Sequence, residues 1–210
     1  MDADGLEKHA LTLQEIHDRY QPKIFRYLAN LIDDYEAEDL TQEVFAKVGR
    51  NLEAFRGEAR VSTWIYRIAT NLAIDRIRHC TLPFEDLRNR ADDADEQIED
   101  LNTWTGERPH SAEQLLIREE MTACIRSCLA KLPEPYRVVL ALSDSEGFKN
   151  KETAEIMGVT LETVKIRLHR ARVQLRKEIE NNCRVYRDER NELACEPTEE
   201  FSREKNNSSE

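Results

Sequence analysis

The stretch KETAEIMGVTLETVKIRLHRARVQLRKE, Lys151 to Glu178, decides how the rest of the chain is read. Asn150 can cap a short helix KETAEIM, Gly158 can supply the positive φ that ends it, and Thr160 can cap the helix that follows. This is helix-turn-helix spacing. Along the second helix Val164, Leu168, Ala171 and Leu175 recur at i, i+4, i+7 and i+11, which predicts a buried stripe. Glu162, Lys165, Ile166, His169, Arg170, Val173 and Arg176 then face outward. A helix entering the major groove needs side chains that reach base edges near its start and cations that meet phosphates along its flanks. Lys165, His169 and Arg170 offer donors, Ile166 can meet a thymine methyl, and Arg172 and Arg176 suit phosphates. A merely solvated basic helix would carry the same charge, but it would not require caps, turn and stripe to coincide.

The basic helix is unusual in its setting, because the 210-residue chain has a formal net charge of -11. Average charge says little about nucleic acid, since phosphate attraction decays over a Debye length and local patches decide binding. A composition of 40% hydrophobic and 35% charged residues fits a soluble, largely helical protein of one or two domains. Apolar runs such as RVVLALSD are far too short for a membrane span, and MDADGLEKHA lacks a basic start and an apolar stretch. A cytoplasmic protein without membrane insertion is expected.

Six glycines, six prolines and no sustained alternation of β-branched residues predict an all-α fold. Ile16, Tyr20, Ile24, Tyr27, Leu28 and Leu31 fall at helical spacing, with Pro22 a local kink. DDYEAEDLTQEVFAKV opens with acids suited to a helix N-terminus and repeats Ala37, Leu40, Val44 and Val48 on one stripe. STWIYRIATNLAIDRIRH forms another helix with Ser62 as its N-cap. The acidic stretch 81–112 has no apolar period and reads as a flexible linker between two helical domains, 10–80 and 113–181. The tail, 182–210, starts helix-compatible and ends in polar residues expected to be disordered.

The helix from Ser62 to His79 places Ile65, Ile68, Ala69 and Leu72 on one side and Arg67, Asn71, Ile74 and Arg78 on the other, flanked by Trp64 and Tyr66. Amide, guanidinium and aromatic groups together suit bases removed from the duplex. A core tryptophan with solvent-facing arginines would produce the same pattern. His79 and His169 have no nucleophile or paired carboxylate at a catalytic spacing, and no glycine-rich phosphate loop is present, so an enzyme is not expected.

DLTQEVFAKV, FRGEARVSTWIYRIATNLAIDRIR, LAKLPEPYRVVLAL and TVKIRLHRARVQLRK resemble, in order and spacing, the extracytoplasmic-function sigma factors of the sigma-70 superfamily. The resemblance spans roughly residues 10 to 180 and implies a sigma-two bundle followed by a sigma-four helix-turn-helix bundle. It implies that Asp39, Leu40, Gln42, Glu43 and Phe45 belong to the helix that docks on core RNA polymerase; an acidic and apolar face suits a basic partner helix independently. It also implies that Phe55 and Asn71 face the −10 element of promoter DNA, with Arg67 and Arg78 on the same face. The segment after Asp75, RIRHCT with Arg76 and Arg78, matches the loop that holds a flipped base. Lys165, Ile166, His169 and Arg170 match positions that read the −35 element, with Arg172 beside them. The linker matches the segment that threads the polymerase cleft, and an anti-sigma factor is an implied partner. Asn150 and Thr153 depart from the residues usual in relatives, which bears on −35 preference. The alternative is a dimeric helix-turn-helix regulator that binds a palindrome without polymerase.

The five cysteines, Cys80, Cys124, Cys128, Cys183 and Cys195, do not form a disulfide framework by pattern, and no cofactor is implied. Cys124 and Cys128, four apart on a helix, read as small core residues in preference to a metal pair. Cys183 and Cys195 bracket RVYRDERNELA, where accessible thiols could meet oxidants or soft metals. Two thiols cannot complete a tetrahedral site, so His169, Cys80 or a partner would have to add ligands. Incidental cysteines on a solvated extension are the simpler expectation.

Overall fold

A computed structural model describes residues 12–55, 57, 59–80, 121, 124–187 and 193–198. The expected linker, residues 1–11 and the end of the tail lie outside the described residues.

Helix α1 (Leu13–Ala29) starts with a capping box: the Thr12 hydroxyl accepts from the Glu15 N–H at 3.3 Å, and the Glu15 carboxylate accepts from the Thr12 N–H at 2.8 Å. Pro22 lies inside α1 without ending it. Helix α2 (Asp34–Asn51) opens where the Asp33 carboxylate accepts from the Glu36 N–H at 2.9 Å, with Asp34 and Glu36 in its first turn. Those acids sit at the positive end of the helix dipole. Helix α3 (Val61–Cys80) begins one residue before Ser62, which is therefore inside the first turn and not the cap. The predicted stripes all face inward: Ile16, Ile24, Tyr27, Leu28, Ala37, Leu40, Val44, Val48, Ile65 and Ala69 are buried together. The Tyr27 hydroxyl meets that of Thr70 at 2.7 Å inside this core, so neither polar group is stranded.

The second unit starts with a helical stretch, α4 (124–130). Helix α5 (Glu134–Leu140) follows Pro133, with Pro135 in the first turn where a missing N–H costs little. It runs into a π-helical segment, Ala141–Ser145. Helix α6 (Asn150–Met157) is entered from Lys149, whose N–H donates to Glu152 at 3.0 Å; Asn150 is the first helical residue and not the cap. Gly158 ends α6 at φ 65°, a conformation costly for any residue with a Cβ. Thr160 then caps α7 (Leu161–Asn182), its hydroxyl accepting from the Thr163 N–H at 3.1 Å. Val164, Leu168 and Ala171 bury against Leu132, Val139, Leu140 and Ala154.

The two helical units follow the all-α expectation, but the tail does not stay helical. Directly after α7 the chain forms an antiparallel hairpin, β1 (Cys183–Arg187) with β2 (Leu193–Pro197), in which Cys183 faces Pro197 and Val185 faces Cys195. The two units also pack on each other. Val138, Ala141, Leu142 and Ile156 are buried in the same cluster as the residues of α1 to α3. Val138, Leu142 and Ile156 each contribute about 1.5–3 kcal/mol when buried, against about 0–1 kcal/mol for an exposed ion pair. The apolar patch therefore holds the units together, and the ion pairs around it, Arg60 with Glu152 and Arg126 with Asp34, set the orientation.

Candidate nucleic-acid interface

The outward face of α7 is built as the stripe requires. With Val164, Leu168 and Ala171 buried, Lys165, Ile166, His169 and Arg170 are all exposed, and Ile166 is 52% exposed among cations. Lys165 reaches back to Glu162 at 3.0 Å, one turn earlier. Both groups are solvated, so this pair can be exchanged for a phosphate or base edge at little cost. Arg172 is differently placed: its guanidinium grips Asp144 in the π-helical segment through two bonds of 2.8 and 3.2 Å. It ties α7 to the preceding layer, a role that helical spacing did not reveal.

On α3, Arg67, Asn71, Asp75 and Arg78 are exposed and recur along one face. Phe55, in the turn between α2 and α3, stacks on Trp64 with centroids 4.8 Å apart. Gly57 in the same turn has φ 70°. The loop after Asp75 that the family resemblance implied is not formed: α3 continues to Cys80, with Arg76 to His79 helical, as the periodicity from Ser62 to His79 predicts. Arg76 bonds to Glu36 of α2 at 3.5 Å, which suits a helix packed on its neighbour. Among the described residues, the non-helical backbone leading to this helix is 52–55, 57 and 59–60. Two of the arginines are engaged by the second unit: Arg67 donates to the Glu155 carbonyl, and Arg78 bonds to Glu134 at 3.0 Å.

The α2 residues divide into two groups. Leu40 and Phe45 are buried, so they seat the helix, while Asp39 and Gln42 are exposed and Glu43, half-exposed, pairs with Lys47 at 3.5 Å. Tyr35 was missed by sequence reasoning. It is 79% exposed, one turn before Asp39 and two before Gln42 on the same face, and an aromatic ring on an otherwise polar stripe was the available signal. Gln42 and Phe45 also line a shallow groove with His17, Gln21 and Phe25, where His17 meets the edge of Phe45 at 4.8 Å.

The tail thiols are not in a solvated extension. Cys183 is buried beside Cys124 and Cys128, and Cys195 is half-buried against the same group. Burial pushes the Cys128 thiol above its ordinary pKa, reinforced by the Glu178 carboxylate and opposed by Lys131; burial does the same to Cys195. His169, on the outward face of α7, is not part of this group.

Residues 16–81 match the family described as Sigma-70 region 2, and residues 122–175 match Sigma-70, region 4. The chain is 34% identical over 175 residues to the ECF RNA polymerase sigma factor SigW of Bacillus subtilis, covering 79% of this chain and 87% of that protein. The chain belongs to the extracytoplasmic-function sigma factors. The sigma factor is also 32% identical over 157 residues to the ECF sigma-E factor of Escherichia coli K12, covering 73% of this chain and 79% of that one. Among solved structures, CnrH in complex with the cytosolic domain of CnrY matches with a TM-score of 0.57 at 20% identity, over 80% of this chain and 88% of that one. RpoE of Bartonella quintana in complex with the anti-sigma factor NepR matches with a TM-score of 0.56 at 18% identity, over 80% and 96%. At those identities the solved structures speak to the fold of this sigma factor alone. Among its described residues no helix is long and apolar enough to cross a membrane.

Proposed function

We propose that this sigma factor binds core RNA polymerase and directs it to promoters by reading −35 duplex with α7 and unwound −10 bases with α3. The observation that carries this reading is the outward set Lys165, Ile166, His169 and Arg170, solvent-exposed on a helix whose opposite stripe is buried. Asn71, exposed two turns along α3 from Trp64, on which Phe55 stacks, supports the −10 assignment. Asp39, Gln42, Glu43 and Tyr35 form the docking face for polymerase. In this reading the domains are 10–80 and 113–181, with 81–112 as tether and 182–210 as tail. The protein acts in the cytoplasm by binding, without catalysis of its own, and an anti-sigma factor restrains it.

A footprint on promoter DNA with and without core polymerase tests the assignment. Protection of −10 and −35 elements only with polymerase is expected. Protection of a palindromic duplex by the protein alone would replace this reading with a dimeric regulator. Asn71→Ala should impair −10 recognition while −35 binding persists.

A further inference from the structure

Four sulfurs that promoter recognition does not use converge from three separate elements. Cys124 and Cys128 lie one turn apart on one face of α4. Cys183 stands at the end of α7, where it becomes β1. The Sγ atoms of these three lie within 4.8 Å of one another, and their side chains are 4%, 0% and 4% exposed. Cys195 enters from β2. In the hairpin Val185 faces Cys195, and residues two apart on a strand, or opposite across a pair, share a face, so Cys183 and Cys195 project to the same side. Cys195 packs on the other three with Leu175 and Ile179.

Cys124 and Cys183 are in direct sulfur contact, yet their Cα atoms are 7.7 Å apart, beyond the span of about 4.4–6.8 Å that a disulfide bridges. A pairwise bond would also leave out the buried Cys128 thiol, which lies within 4.8 Å of both sulfurs. Backbones held apart with sulfurs drawn to one point suit ligands around a common centre. Four thiolates about 2.3 Å from an ion sit roughly 3.8 Å from each other in a tetrahedron; the Sγ atoms of Cys124, Cys128 and Cys183 already lie within 4.8 Å of one another, and Cys195 is the neighbouring thiol that would close the set. The surroundings are Leu175, Ile179 and the Glu178 carbonyl, which accepts from the Cys128 thiol at 3.9 Å. Three buried sulfurs with Cys195 packed beside them offer an all-sulfur donor set, which matches a structural ion and not a catalytic one.

We propose that Cys124, Cys128, Cys183 and Cys195 bind a single zinc-class cation that fastens the C-terminal hairpin and the end of α7 to α4. Four thiols each surrender a proton to solvent, four S–Zn bonds form, and no electron is transferred. The ion sets the anchorage of the helix whose outward face carries Lys165, Ile166, His169 and Arg170. The effect on DNA rests on the assignment of α7 to the −35 element, whereas the metal site does not.

The test uses the full chain, reduced and stripped of metal, titrated with Zn²⁺ against a competing chromophoric chelator, and separately with Co²⁺. One equivalent per chain, protection of four thiols from alkylation, and the near-ultraviolet bands of thiolate-bound tetrahedral cobalt are expected. Cys195→Ser, at a half-buried position outside the helices, should keep its helical circular dichroism and bind zinc at least about tenfold more weakly. Zinc removal should weaken −35 duplex binding in the wild type but not in Cys195→Ser. Four freely alkylated thiols with no stoichiometric zinc would overturn the site, as would unchanged zinc affinity in Cys195→Ser. A Cys124–Cys183 disulfide in the protein isolated without reductant, with no zinc uptake after reduction, would replace it with a redox pair. Stoichiometric zinc with unaltered −35 binding would leave the ion as a fold clasp and count against α7 as the DNA reader.

Discussion

Arg67 on α3 is held by the backbone of Glu155 on α6, donating to its carbonyl from Nε at 3.1 Å and from Nη2 at 2.6 Å. A side chain assigned to promoter DNA is thus occupied by the other domain, and Arg78, held by Glu134, repeats the arrangement lower on the same helix. Promoter binding through α3 requires these contacts to be given up. Glu134→Lys combined with Glu152→Lys should loosen the domain interface, since both partners, Arg78 and Arg60, would then face like charge. The radius of gyration from small-angle scattering should rise with helix content unchanged, and binding of −10 single strands should strengthen. An unchanged radius would mean that the apolar patch alone sets the packing.

Burial at Tyr27 makes a second expectation quantitative. Thr70→Val leaves the Tyr27 hydroxyl buried without its partner, at a cost of about 1–3 kcal/mol. Adding Tyr27→Phe should recover much of that loss, because both polar groups are then gone. Urea unfolding of the two single variants and the double variant completes the cycle.

Alkaline pH should unfold the protein for a related reason. Burial raises the pKa of Tyr27 and of Tyr66 well above the ordinary 10.0, and at Tyr66 the hydrogen bond to Glu146 adds to it. Above pH about 10 the unfolded chain releases these protons while the folded one keeps them, so stability present below that pH falls as pH rises. Tyr66→Phe should flatten the decline in thermal midpoint against pH.

On α7, Arg170→Ala should cost about 1–3 kcal/mol at one position of the −35 element and relax preference there. Arg176→Ala should weaken all sequences alike and reduce the salt slope by about 1. Arg172→Ala should leave that slope nearly unchanged, because Arg172 is spent on Asp144. Electrophoretic titrations across salt concentrations separate the three.

Docking is tested at α2. Gln42→Ala with Glu43→Arg should weaken association with core polymerase, and Tyr35→Ala should do so too if the exposed ring is an anchor, as buried aromatics in interfaces often are. Circular dichroism should not change in either. Equal affinity for all three proteins in a binding titration would remove this face from the docking surface.

What the sequence by itself determined is local. The cap at Thr160, the left-handed Gly158, the acidic start of α2 and the buried stripes of α1, α2 and α7 were all legible, because caps, φ preferences and a 3.6-residue period are properties of neighbouring residues. The periodic reading carried α3 to His79, one residue short of its end at Cys80, whereas the loop after Asp75 was implied by family resemblance alone and RIRHCT has no glycine or proline to break the helix there. The hairpin after α7 was missed because CRVYR and LACEP are too short for a period to register. Only the tertiary structure decided which polar groups meet. Periodicity says that Arg67, Arg78 and Arg172 face outward, but not that Glu155, Glu134 and Asp144 stand opposite them. The thiol cluster shows the same divide: Cys124 and Cys183, separated by 59 residues, were read as a core residue and a tail residue. A contact at that distance along the chain leaves no local trace, since its position is set by how whole helices and a hairpin pack together.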